Sequence, residues 1–346
     1  MIHLEVHSHF SLLEGTAGVR QLAARAVEHG MKALALTDTG GLYGAIPFYK
    51  AAKAAGVKPL LGAKLGPCVL LARDREGYAH LCEVISAVQL EKMTPDQLGA
   101  WPFPFGMERL FCVTADLGVA RRLRDRGFPP LVAMTHYGDA RSRYRAAQAH
   151  EAAQRLGLRA VAVNPVYFLD PAHYAVHRVL AAIRENTTVD QPDPAACAHP
   201  QDWFRSPDQM ERLYAAWPDA LDHACWIAEE CNVELPLGKL IFPDFPLPDG
   251  ETPGSWLWQK CLEGARARYH PVPQAAMDRL RHELRVIDDL GFSSYFLIVG
   301  DIVRFARERG IPAVGRGSAA NSLVAYVLGI TPVSYTHLTL PTKRIV

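Results

Sequence analysis

The sequence lacks a signal-peptide pattern and any apolar run long enough to span a bilayer, so the expectation is a cytoplasmic protein with no membrane partner. It has no C-x-x-C pair. Its seven cysteines (68, 82, 112, 197, 225, 231, 261) are odd in number, which argues against a disulfide framework and for free thiols in a reducing compartment. It has no excess of either charge: 37 basic against 36 acidic residues leave +1, so any contact with nucleic acid has to come from local patches. Neither the Walker spacing nor the dinucleotide glycine fingerprint occurs, and no internal repeat is evident. What is present is ordinary for a globular chain. With 49% hydrophobic and 21% charged residues over 346 positions, there is room for two or three domains.

The first 185 residues alternate short apolar runs with longer helical patterns. Strands are expected at Ile2–Val6, Lys32–Leu36, Lys58–Leu65, Val69–Arg73, Leu110–Thr114, Leu131–Met134 and Arg159–Val163. Amphipathic stretches fall between most of them, at Val19–His29, Tyr43–Ala55, Gly77–Val88, Ala140–Leu156 and Ala172–Arg184. This alternation argues for an α/β fold with a parallel sheet, and seven strands fit a closed barrel with chemistry at the C-terminal strand ends. Residues 186–253 read as a linker with short helices (Pro207–Tyr214, Asp219–Asn232) between proline-rich passages. Residues 254–333 read as almost all helix, at Ser255–Tyr269, Pro273–Leu290 and Ser294–Arg309, with Gly291 and Gly310 as stops. Residues 334–346 show no clear period and no carboxylate.

One short motif carries chemistry. An apolar run enters Gly315-Arg316-Gly317-Ser318, and the alanine-rich stretch that follows reads as a helix. Glycines let backbone N–H groups approach an anion, and a helix N-terminus adds partial positive charge. Arg316 offers a planar fork for phosphate oxygens, and Ser318 can cap the helix or bond a phosphate. A glycine turn before a helix is common, so the motif alone leaves a phosphate cradle and a plain helix start both open. Upstream, Arg304 and Arg307 share a helical face, again consistent with a solvated surface or with a nearby polyanion. Arg266, Arg268, Arg279, Arg281 and Arg285 form a second basic region with no site assigned, and Trp256, Trp258 and Tyr269 fit core packing.

The stretch GFSSYFLIVGDIVRFARERGIPAVGRGSAANSLVAYVLGI, Gly291 to Ile330, resembles the start of the palm in the bacterial DNA polymerase III alpha subunit family. His7-Ser8-His9-Phe10-Ser11-Leu12-Leu13-Glu14-Gly15 resembles the opening of the polymerase-and-histidinol-phosphatase (PHP) domain. The resemblance implies a seven-stranded PHP-type β/α barrel over 1–185, followed by a mainly helical segment leading into a polymerase palm. It implies that Gly315, Arg316, Gly317 and Ser318 contact the triphosphate of an incoming nucleotide, with Arg304 and Arg307 as further DNA or phosphate contacts. The partners it implies are DNA primer-template and deoxynucleoside triphosphates, with a proofreading exonuclease and a sliding clamp reached through the full-length protein.

The PHP resemblance also implies a multinuclear metal site beginning at His7 and His9, which two-residue spacing at a strand end would aim the same way. Glu14 and His136 fall at further ligand positions. Other positions depart from the family. Thr37-Asp38-Thr39 stands for Thr-Asp-His, and Gly62-Ala63-Lys64 for Gly-x-Glu. Asn164-Pro165-Val166-Tyr167 stands for Asn-Asp-x-His. A multinuclear site with few anionic ligands repels itself, and Lys64 adds repulsion. The expectation is therefore no bound catalytic metal, with Lys64 paired to Glu14 or Asp38 as a fixed stand-in charge. In this family the Mg²⁺-binding aspartates of the polymerase follow a Gly-Ile-Thr-x-x-Asp-Pro continuation. Here Gly329-Ile330-Thr331-Pro332-Val333 leads instead into the atypical 334–346, read as a truncation scar, so the expected product is an N-terminal fragment inactive alone, with no cofactor of its own. Two other functions stay open: a metal-dependent phosphoesterase or proofreading nuclease in the barrel, and a docking platform for a proofreading exonuclease.

Overall fold

The computed structural model describes residues 1–90, 107–190, 193, 196–238, 242–313, 315 and 321–332. The chain forms two compact units, Met1–Leu235 and Pro236–Val346. Residues 316–318 and 334–346 lie outside the described residues.

The first unit holds one six-stranded sheet in sequential order: β1 (Ala33–Leu36), β2 (Lys58–Leu65), β3 (Cys68–Ala72), β4 (Leu110–Thr114), β5 (Leu131–Met134) and β6 (Ala160–Ala162). These strands are apolar and almost wholly buried, as strands covered on both faces must be. The sheet is mixed, not parallel as expected. β3 runs antiparallel to both β2 and β4, while the other pairs are parallel. Only Gly66 and Pro67 separate β2 from β3, and a two-residue connection permits a hairpin but no crossover.

A seventh strand does not form among the described residues. Ile2–Val6 carries a single bridge, Val6 to Val166, yet its carbonyls serve both sides. His3 and Val6 accept from Ala35 and Thr37 of the β1 side, and Glu5 accepts from Val166. The ladder is interrupted because the Thr37 hydroxyl takes up the Val6 N–H at 2.8 Å.

Helices α1 (Val19–Glu28), α2 (Ala45–Ala54), α3 (Arg75–Leu90), α4 (Leu117–Asp125), α5 (Ala140–Leu156) and α6 (Tyr174–Arg184) connect or follow these strands. The stretch expected as linker supplies α7 (Pro207–Leu213) and α8 (Pro218–Glu230) to the same unit. Met210 and Tyr214 pack on Val132 and Met134, and Ala224 and Ile227 pack on Val161 and Val163.

The second unit is helical: α9 (Pro253–Arg268), α10 (Gln274–Asp289), α11 (Ser293–Glu308) and the short α12 (Leu323–Val327). Leu257, Cys261, Leu280, Leu284, Leu297 and Val324 form its core. Trp256, Trp258 and Tyr269 pack against that core. α9 and α12 touch closely at Gly264, where a Cβ would come 2.1 Å from the Val327 carbonyl oxygen.

Candidate functional site

The alternation Ile2-His3-Leu4-Glu5-Val6-His7 buries every member of the segment, polar residues included. Glu5 is the centre of what they build. Its carboxylate pairs with the Lys64 ammonium, and His7 Nε2 lies 3.5 Å from the same oxygen. Burial opposes the ionisation of Glu5, but the Lys64 charge and the His7 ring outweigh it and pull its pKa down to about 2. Burial works against the Lys64 charge too, and Glu5 and the Tyr167 hydroxyl reverse that, holding the ammonium above its usual range. Lys64 thus pairs with neither Glu14 nor Asp38, as expected from sequence, but with Glu5, which the sequence reading passed over.

The other expected positions are occupied otherwise. Asp38 is 1% exposed, and its oxygens accept from the Ser8 N–H at 2.7 Å, the Ser8 hydroxyl at 3.0 Å and the Ser11 hydroxyl at 2.7 Å. Glu14 accepts from the Thr39 hydroxyl at 2.5 Å and pairs with Arg184 at 3.3 Å. Thr39, where the resemblance implies a histidine, is thus a neutral bridge between Glu14 and His7 Nδ1, which is 3.2 Å away. The Ser11 and Thr39 hydroxyl protons both go to carboxylates, so His7 Nδ1 is assigned as the donor to these oxygens. His7 Nε2 has no hydrogen-bond partner within reach and faces the Glu5 carboxylate at 3.5 Å.

His7 and His9 do not share a direction. His7 is fully buried and stacks on Tyr167 with ring centres 4.1 Å apart, whereas His9 is exposed and lies against Phe10. Strand alternation stops at Val6, and a turn closed by the Ser11 N–H on the Ser8 carbonyl reorients the chain. His136 stands apart from this group in its contacts. Its Nδ1 faces the Ser142 hydroxyl at 3.1 Å and accepts the Gly138 N–H, and burial with nearby Arg143 lowers its pKa.

A second buried set backs the first. Tyr137 donates to Asp202 at 2.7 Å and stacks on His199 at 3.9 Å. Burial raises the Asp202 carboxyl to about 7. Arg205 donates to Asn164 at 3.0 Å, and its carbonyl meets His3 Nε2 at 2.8 Å. Burial lowers the His3 pKa to about 4. The one signal that could have found Glu5 and His3 was the alternation itself, which places His3, Glu5 and His7 on one face.

These residues do not fit a multinuclear metal centre. Asp38 has its oxygens satisfied, Glu5 is neutralised by a lysine, Thr39 cannot replace an imidazole, and His9 faces solvent. A single free nitrogen on His7 remains. Among the described residues no three His, Cys, Asp or Glu side chains are grouped to hold an ion.

The nucleotide corner is described only at its flanks. A Cβ on Gly315 would come 2.9 Å from the Thr331 methyl. Among the described residues the helix after the glycine turn is Leu323–Val327, and its cap is Ser322, which accepts from the Ala325 N–H. Glu283 accepts from both the Ser322 hydroxyl and the Val324 N–H, so a carboxylate already sits at this helix start. Arg304 pairs with Asp301, and Arg307 is exposed beside Gly329.

The fold of the first unit agrees with its sequence class: the PHP domain family model matches residues 3–115. A second model, that of the bacterial DNA polymerase III alpha NTPase domain, matches residues 255–346, a range that includes the atypical 334–346. An error-prone DNA polymerase of Symbiobacterium thermophilum is 36% identical over 96% of this chain and 34% of its own. A DNA polymerase III subunit alpha of Xylella fastidiosa is 33% identical over 97% of this chain and 33% of its own. A solved amidohydrolase from Chromobacterium violaceum overlaps 48% of this chain and 87% of its own at 15% identity and a TM-score of 0.34, too loose to carry a fold assignment. Over nearly its whole length the chain is similar to bacterial error-prone DNA polymerases and DNA polymerase III alpha subunits, and it spans about a third of the length of the curated relatives it matches.

Proposed function

We propose that this chain is the N-terminal part of a DNA-directed DNA polymerase of the polymerase III alpha type, working in replication or in error-prone repair synthesis, with a barrel that is a structural platform. Matches to polymerases over 95% or more of the chain support the first half. One observation carries the second: a buried carboxylate, Glu5, neutralised by Lys64 where the family places a metal-bridging acid. In this reading the second unit begins the palm. Gly315, Arg316, Gly317 and Ser318 hold the nucleotide triphosphate, and the substrates are primer-template DNA and deoxynucleoside triphosphates. Mg²⁺ serves the whole polymerase, as do any sliding clamp and proofreading exonuclease. No helix among the described residues is long and apolar enough to cross a membrane.

A hydrolase in the barrel would need free carboxylates, and those near His7 are taken by Lys64, Thr39, Arg184 and the Ser8–Ser11 turn. The test of the polymerase reading is equilibrium binding of dATP and of primer-template DNA. Ser318→Ala is expected to weaken dATP about tenfold, the loss of one hydrogen bond to a charged group. Absence of dATP binding to the wild-type chain, or binding indifferent to Ser318→Ala, overturns it.

A further inference from the structure

Two arginines in the second unit converge on one backbone position, and among the described residues neither forms an ion pair. Gly329 is buried with a φ of 78°, and its missing Cβ leaves room for the arginines: the point where a Cβ would stand lies 2.6 Å from Arg307 Nη1 and 3.7 Å from Arg268 Nη2. The two forks arrive from different helices. Arg268 is in the last turn of α9 and lies over the Tyr326 ring at 4.2 Å, while Arg307 is in the last turn of α11. The approach of α9 to α12 at Gly264 fixes the Arg268 side of this arrangement.

Like charges this close repel, and proteins ordinarily place a carboxylate between them. Here the neighbouring charges other than Glu308 are committed elsewhere. In the groove of about 620 Å³ onto which Arg307 opens, Lys260 pairs with Glu263 and Arg304 with Asp301. Glu308 lines the groove too, and among the described residues neither Arg268 nor Arg307 forms an ion pair. An open pair of guanidinium forks is the geometry that binds phosphate oxygens, each fork supplying parallel N–H donors.

We infer that Arg268 and Arg307 form a phosphate-binding clamp at Gly329, two residues before Thr331, on which Gly315 packs. The ligand class is a phosphate ester: the polyphosphate of a nucleotide or the backbone phosphate of a DNA strand. The inference deepens the nucleotide-corner reading by adding two residues outside the glycine motif. It also separates from that reading, because Ser318 and the two arginines can be changed independently.

The full chain is titrated with inorganic triphosphate, dATP and a single-stranded oligothymidylate at several salt concentrations, as wild type, Arg268→Gln/Arg307→Gln, Arg307→Glu and Ser318→Ala. The double variant is expected to bind inorganic triphosphate at least about tenfold more weakly, two charge-assisted contacts being lost. If the source is a DNA strand, the oligonucleotide arm also loses about 1.4 from its salt slope. If the source is a nucleotide, dATP falls and that slope holds. Arg307→Glu gives Arg268 a partner, so it should abolish binding while the melting temperature holds or rises, which separates lost binding from lost folding. Equal binding of inorganic triphosphate by wild type and the double variant overturns the clamp, as does absence of binding to wild type. Loss of dATP binding in Ser318→Ala but not in the arginine variants leaves the corner standing and removes the clamp. The reverse result keeps the clamp and removes the corner.

Discussion

The two units treat charge in opposite ways. In the first, Glu5 and Asp38 are buried and Glu14 is half-buried, and each is answered by a lysine, an arginine or hydroxyl groups. In the second, charges lie mostly on exposed helix faces, many paired within one helix, and among the described residues two guanidiniums near Gly329 form no ion pair. A site whose charges are all answered from within is built to be stable, and one with charges left over is built to receive a partner. The contrast is one of chemistry, since desolvation makes an unanswered charge costly in the interior and tolerable at the surface.

The largest break in that contrast should come at Lys64. Lys64→Ala strands the Glu5 carboxylate in a buried site and should cost about 3 kcal/mol at pH 7, the low end for breaking a buried ion pair, because Lys64 keeps some solvent contact. Denaturant unfolding measures it, and the penalty should shrink below about pH 4 as Glu5 becomes able to take a proton.

The wild-type protein should lose stability in acid in two windows. Glu5 is held below its unfolded value of 4.5, so its contribution is full above that value and is lost as pH falls toward about 2. His3 is held below 6.5, so the unfolded chain binds the extra proton and stability falls from pH 6.5 to about 4. Each is worth about 3 kcal/mol at full extent. Asp202 acts the other way. Its folded value of about 7 lies above 3.8, so its contribution declines as pH rises between them. Asp202→Asn should therefore steepen the loss between pH 6.5 and 4, read as the shift of the unfolding midpoint with pH.

Smaller effects belong to the second unit. Glu283→Ala removes the carboxylate that accepts from Ser322 and Val324 and should cost about 1 kcal/mol, a lost helix cap. Arg304→Gln breaks only an exposed pair within α11 and should change stability by less than about 0.5 kcal/mol. A thermal melt separates the two.

Much of this was legible beforehand. Six of seven strand positions and the main helices follow from periodicity, and Lys64 announced itself by standing where a carboxylate was expected. Its partner did not, because Glu5 reaches Lys64 only through contacts far apart in the chain. The His7–His9 pair misled because alternation holds only inside a strand, and the chain turns at Ser8. The antiparallel β3 was readable in the Gly66-Pro67 connection, which a search for strand–helix alternation overrides. The convergence at Gly329 is tertiary, and no spacing reveals it.

The central claim, that in the first unit the Lys64 ammonium answers Glu5 in place of a metal, is tested most directly by elemental analysis of the purified chain, prepared without chelator and again after incubation with Zn²⁺ and Mn²⁺. The account predicts metal far below one equivalent in both preparations. Stoichiometric zinc or manganese retained through gel filtration would contradict it.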